Sequence, residues 1–153
     1  MSDPTDLLSR FAERLSLPLI AAPMFLVSGV DLVVAACGHG VIGSFPTANC
    51  RNVEQLETWL TDMAERLRRR ADETGNPCAP ICPNLIVHRS NPRLFDDLRI
   101  VLKHSPELVI TSVGSPGPVL APLHDAGAIV SPMSRASTTP STRSTRGRTG
   151  LFC

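Results

Sequence analysis

The chain has 153 residues, enough for one domain, and its 42% hydrophobic and 19% charged content belongs to a globular rather than a disordered protein. A formal net charge of +1 gives the whole chain no electrostatic preference for nucleic acid or an anionic membrane, so neither is expected as a partner. With aromatics at 4%, a core has to be built mainly from Leu, Val, Ile and Ala.

The N-terminus, Met1-Ser2-Asp3-Pro4-Thr5-Asp6, lacks the basic and apolar regions of a signal peptide, and no run of 18 apolar residues follows. A cytoplasmic protein is expected. Leu7, Leu8, Phe11, Ala12 and Leu15 recur at helical spacing, and that helix ends at Leu17-Pro18. Leu19-Ile20-Ala21-Ala22, closed by Pro23, is a short apolar run suited to a strand buried on both faces. A helix opens at Ser28-Gly29-Val30-Asp31 and closes at Gly38 and Gly40; Val41–Phe45 is the second strand. Asn52 is a natural N-cap for the long amphipathic stretch to about Thr74, with Leu56, Trp59, Leu60, Met63, Ala64 and Leu67 as its inner stripe. Arg66, Arg68, Arg69 and Arg70 near its end read as a solvated helix terminus that suits the helix dipole.

Pro83–Val87 is the third strand, and Asn91-Pro92 starts a helix to about His104, with proline at its first position. Glu107–Val113 is the fourth strand, Gly117–Asp125 the fourth helix, and Ala128-Ile129-Val130 opens a fifth strand. Four strand–helix units in succession select a parallel α/β architecture. Both a doubly wound sheet and a (βα)8 barrel satisfy the pattern, and a complete barrel takes on the order of 250 residues.

At Ser131 the composition changes. Residues 1–130 hold all 14 acidic residues, whereas the last 23 hold five Ser, five Thr, four Arg and no acid. Such a stretch buries too little apolar surface to offset its ordering entropy, which predicts a disordered tail over 131–153. Five cysteines, Cys37, Cys50, Cys78, Cys82 and Cys153, are scattered, and the Cys78/Cys82 pair has no second pair or histidine cluster, so free thiols and no metal site are expected.

In either parallel architecture, ligand-binding groups sit at the C-terminal ends of strands and in the loops that follow. Those positions are Ala22-Pro23-Met24, Pro46-Thr47-Ala48-Asn49, Asn84 with His88-Arg89, and Ser112-Val113-Gly114-Ser115-Pro116. They are polar, glycine- and proline-shaped, and poor in acid–base groups, which suits holding a planar cofactor better than hydrolysis.

Leu17–Met24, Val41–Thr47, Asn84–Val87 and Val109–Pro116, in this order and spacing, resemble the nitronate monooxygenase (2-nitropropane dioxygenase) family over about residues 15–130. The resemblance implies a partial (βα)8 TIM barrel over 1–130, FMN as cofactor, and oxidation of alkyl nitronates with O2. It also implies a cofactor-binding set of Ala22, Pro23, Met24, Asn84, Ser112 and Gly114. Pro23 and Met24 would lie against the flavin ring, Asn84 would hydrogen-bond it, and Gly114 would pass near its edge. An amide both donates and accepts, as a flavin pyrimidine edge requires, and a thioether packs well on a flat ring. Each also has a plain structural alternative: a loop tie for Asn84, core filling for Met24, a turn for Gly114.

Among the histidines, His39 suits a helix end, and His104 and His124 are expected to face solvent. His88 follows the third strand on the ligand side and is the one to test as a catalytic base, with a surface-loop histidine as the alternative. From Ser131 the sequence departs from the family, which predicts a frameshifted gene or gene model. A half barrel would also expose strand edges, predicting self-association, weak flavin retention and little activity alone. Alternatives are an FMN-dependent enoyl reductase of the same barrel type and a non-catalytic remnant or interaction module.

Overall fold

A computed structural model of the chain describes residues 10–133. Five parallel strands alternate with four helices: β1 (Ile20–Ala21), α1 (Val30–Gly38), β2 (Ile42–Pro46), α2 (Val53–Thr74), β3 (Ile81–Ile86), α3 (Leu94–Lys103), β4 (Leu108–Ser112), α4 (Gly117–Asp125) and β5 (Ile129–Met133). Strand order in the sheet is β1-β2-β3-β4-β5, so each strand pairs only with its neighbours in sequence. A doubly wound sheet reverses direction at a switch point; this one never does, and it curls as part of a (βα)8 barrel.

Strand alternation divides the core in two. Ile42, Cys82, Leu108, Ile110 and Ile129 point to the barrel interior and pack around Phe11, which is fully buried. Phe45, Leu85, Val87 and Val109 point outward and meet the helices through Val33, Leu56, Leu60, Met63, Leu98 and Leu123. The interior group is thus closed at the N-terminal end of the strands by the segment before β1. That segment is tied down by Arg14, whose Nη1 donates to both Glu107 carboxylate oxygens (2.6 and 2.8 Å) and whose Nε donates to the Cys78 carbonyl. Arg10 reaches the Gly127 carbonyl at 3.0 Å. Among the described residues the expected first helix is represented by helical Arg10 and Phe11 and the 3-10 turn Ala12–Arg14; Leu7 and Leu8 lie outside them.

Local signals account for the helix ends. Asn52 accepts from the Gln55 backbone N–H (2.9 Å), and the Gln55 side chain accepts from the Arg51 N–H, a reciprocal N-terminal cap. Gly75 closes α2 with φ +70°, where a side chain would be strained. The arginine run is more than a solvated end: Arg66 pairs with Asp31 (2.8 Å) and Arg70 donates to the Gly38 carbonyl (2.9 Å), pinning α2 on α1.

Several boundaries differ from the sequence reading, β3 among them, which starts at Ile81 rather than Pro83 and ends at Ile86. α3 starts at Leu94, because Asn91 and Pro92 belong to a turn in which the Asn91 side chain donates to the Ile86 carbonyl and accepts from the Arg93 N–H. Val113 leaves β4 with φ +64°. β5 runs on to Met133, with Ser131, Pro132 and Met133 in register with Ile110, Thr111 and Ser112, so the first three residues assigned to the tail belong to the sheet. The remaining tail, 134–153, lies outside the described residues. No helix among the described residues is long and apolar enough to cross a membrane.

Candidate functional site

The interior face changes character along the barrel axis. Toward the N-terminal ends of the strands it is apolar; farther along it takes in Ser44 on β2, Asn84 on β3, Ser112 on β4 and Ser131 on β5, interleaved with Pro46, Ile86, Ile110 and Met133. Ser44 donates its hydroxyl to the Ala21 carbonyl, linking β2 to β1. Asn84 is 6% exposed, and its Oδ1 is sealed from water without a hydrogen-bond partner among the described residues. A buried acceptor left unpaired costs about 1–3 kcal/mol, so a ligand that donates to it recovers a sizeable free energy.

The sequence-derived residues gather at this end. Ala22, Pro23 and Met24 follow β1, Asn84 lies in β3, and Ser112 and Gly114 stand at and just beyond the end of β4. Two of them are also engaged within the protein. The backbone of Met24 is already engaged: its N–H donates to Ser28 Oγ (3.0 Å) and its carbonyl accepts from Ser28 N and Asn49 Nδ2. It can pack on a ligand but has no spare N–H to offer. At Gly114, a Cβ would stand 2.5 Å from the Val87 carbonyl oxygen, so glycine there is required by the close approach of two protein backbones.

His88 is exposed on this side, but its Nδ1 accepts from the Ser90 N–H (3.2 Å) and lies 2.6 Å from Ser90 Oγ. Accepting at Nδ1 places the neutral ring's proton on Nε2, which therefore donates rather than accepts. That arrangement ties a loop and does not favour a base aimed at substrate. His39 caps α1 with its backbone N–H, and His124 is exposed, as expected. His104 is not solvated: it is half-buried, with Nε2 3.2 Å from Glu57 Oε1. Lys103 first, and His104 after it, hold the Glu57 carboxyl below its ordinary range by hydrogen bonding.

Two residues of this end escaped the sequence reading as individuals. Ser28, fully buried, bridges the β1–α1 loop by accepting from Met24 N and donating to the Ala22 carbonyl. Asn49, in the 3-10 turn Thr47–Asn49 after β2, makes three hydrogen bonds to the same loop. A polar residue after a strand was the available signal, and the loop containing Asn49 carried it; which residue it would reach was not written locally.

A cavity of about 480 Å3 lies at the other end, between α2, α3 and the N-terminal ends of β3 and β4, against Leu60, Leu67, Cys78 and Val101. Its position on the stability face of the barrel separates it from the loops that carry chemistry in this architecture. Cys37, Cys50, Cys78 and Cys82 are free thiols. Burial pushes Cys37 up to about 11 and Cys50 to about 12, and raises Cys82 as well, so these three are protonated and inert at neutral pH.

No family model matches the sequence, and no curated protein matches it. Solved structures do. FabK from Thermotoga maritima superposes with a TM-score of 0.64 at 20% identity, over 84% of this chain and 35% of that one. A mutant form of the same protein gives the same TM-score and identity, with 37% of its length covered. The chain therefore spans about a third of the length of the structures it matches. Sequential parallel strands and this likeness together establish the fold as a partial (βα)8 barrel of the kind seen in FabK.

Proposed function

We propose that the chain carries the flavin-facing loops of an FMN-dependent oxidoreductase of the nitronate monooxygenase and enoyl reductase barrel type. The observation that carries this reading is Asn84: a buried amide on the interior face, at the C-terminal end of the sheet, whose Oδ1 lacks a partner among the described residues. That oxygen suits the imide N–H of a flavin, and the amide of the same side chain can donate to a neighbouring ring carbonyl. Met24, exposed on the loop after β1, offers a polarizable surface for the ring, and Ser112 adds a hydroxyl on the Asn84 face. Bound FMN would supply the redox chemistry. The chain's own residues orient the ring and keep water from one side of it.

Within that type, oxidation of an alkyl nitronate by O2 is the reading that the four motifs support. The polar rim agrees with it in being poor in acid–base groups. Reduction of an enoyl thioester is the second reading, favoured by the fold likeness to FabK. In (βα)8 barrels the phosphate is gripped by loops after strands seven and eight, which are not among these five strands. Isoalloxazine contacts are consequently the part of cofactor binding assigned to this chain.

The test is a titration of the 153-residue chain with FMN, lumiflavin and riboflavin, read by flavin fluorescence. Saturable quenching with all three supports the ring contacts; no saturable binding of any of them refutes the proposal. Oxygen consumption with an alkyl nitronate, against NADH oxidation with an enoyl thioester, then separates the two activities.

A further inference from the structure

We infer that Asn49 is a positioning residue: its side-chain amide sets the conformation of the β1–α1 loop and so presents Met24 and Leu26 to the ligand. The ligand's identity rests on the flavin reading above; the clamp itself rests on geometry alone.

Asn49 uses both faces of its amide on one loop. Nδ2 donates to the Met24 carbonyl (3.1 Å) and the Ser28 carbonyl (2.9 Å), while Oδ1 accepts from the Leu26 N–H (2.9 Å). A side chain with two donors and an acceptor at this length is asparagine alone: aspartate loses the donors, and glutamine places them a methylene farther out. The loop returns little to the core that would hold it otherwise, because Met24, Phe25, Leu26 and Val27 are all exposed, Leu26 at 79%. Leu26 moreover sits at φ +63°, a left-handed backbone that a leucine adopts only when its surroundings enforce it. Backbone hydrogen bonds from Val27 and Ser28 to the Met24 carbonyl close the turn, and Asn49 adds three restraints from outside the loop.

The clamp stands on a rigid support. Thr47, which opens the turn, and Cys50, which follows it, are buried, and Cys50 N donates to the Thr47 carbonyl (3.0 Å). The Cys50 carbonyl accepts from Arg93 Nη1 (2.8 Å), and Arg93 Nη2 pairs with Asp97, which is buried in α3. One continuous chain of contacts therefore links α3, the loop after β2 and the loop after β1. A loop fixed in advance spares a ligand the cost of ordering it.

The experiment compares the unaltered chain with Asn49→Ala and Asn49→Asp, using amide hydrogen exchange over residues 22–29, flavin affinity, and the visible circular dichroism of bound flavin. Asn49→Ala is expected to speed exchange of the Leu26 amide at least tenfold, with β2, β3 and β4 unchanged. Flavin affinity should fall by roughly tenfold, the effect of losing on the order of one to two net hydrogen bonds, with an altered visible dichroism. Asn49→Asp keeps the acceptor for Leu26 but sets a carboxylate against two carbonyls; it should fold, bind weakly and show the same altered dichroism, even if Asn49→Ala does not fold. Unchanged exchange at Leu26 in Asn49→Ala, or unaltered affinity and dichroism in Asn49→Asp, overturns the inference. If the unaltered chain binds no flavin while the exchange difference persists, the flavin reading falls and the clamp stands.

Discussion

Replacing Asn84 with leucine tests the central geometric argument, because stability and binding should move in opposite directions. The side chain is buried, and its Oδ1 has no hydrogen-bond partner among the described residues. An unpaired buried acceptor costs about 1–3 kcal/mol, whereas an apolar group of similar shape carries no such penalty. Allowing for some misfit of leucine's branch, Asn84→Leu should stabilise the ligand-free protein by about 1–2 kcal/mol. For a chain of this size that corresponds to a rise in Tm of roughly 2–8 °C. Flavin affinity should fall about tenfold or more, since leucine leaves a desolvated flavin N–H without an acceptor. Thermal and urea unfolding of both proteins, with and without FMN, measure the two effects. Destabilisation of more than about 1 kcal/mol would refute the reasoning, because it would mean that Oδ1 is fully hydrogen-bonded in solution. Such a trade of stability for binding is usual where a site keeps a polar group in readiness.

Gly114→Ala should lower stability by about 1–3 kcal/mol, because its Cβ meets the Val87 carbonyl at 2.5 Å and that backbone oxygen cannot swing aside as a side chain would; a urea midpoint equal to that of the unaltered chain would count against it. Phe11→Ala removes the fully buried ring that closes the interior cluster and should cost about 3–5 kcal/mol, measured by the same unfolding curves. The buried thiols predict an alkaline weakness. Burial raises Cys37 to about 11 and Cys50 to about 12, above an unfolded value of 9.0, so their contribution is complete below pH 9 and is lost as pH rises through the folded values. Urea midpoints should therefore fall between pH 9 and 11, and substituting Cys37 and Cys50 by alanine should flatten that fall. At pH 8 a thiol reagent should leave Cys37, Cys50 and Cys82 unmodified until the protein is unfolded, as peptide mapping would show.

Much of the fold was legible in the sequence because it is written at short range. Apolar runs bounded by proline and glycine marked all five strands, and the 3.6-residue stripe from Leu56 to Leu67 together with the Asn52 cap marked α2 within a residue of its ends. Such signals depend only on the period of a few residues and on local hydrogen bonding. The same locality explains the misplaced start of α3: Asn91-Pro92 fits a helix start and a turn equally, and the Ile86 carbonyl, which Asn91 reaches, settled it as a turn. β5 was cut short for a related reason, since Ser131-Pro132-Met133 resembles a strand only once β4 is beside it.

Residue types at strand ends marked, from the sequence by itself, which end of the sheet is the candidate ligand-binding end and placed Asn84 within it. Strand order, which separates a barrel from a doubly wound sheet, came only from the tertiary structure, because both arrangements bury the same alternating pattern. So did the roles of single residues: Asn49 meets Leu26 across 23 positions, Gly114 is a glycine because of Val87, and His88 is turned toward Ser90. Periodicity records how each segment is buried, whereas the partner of a hydrogen-bonding side chain depends on which distant segment the fold brings to it.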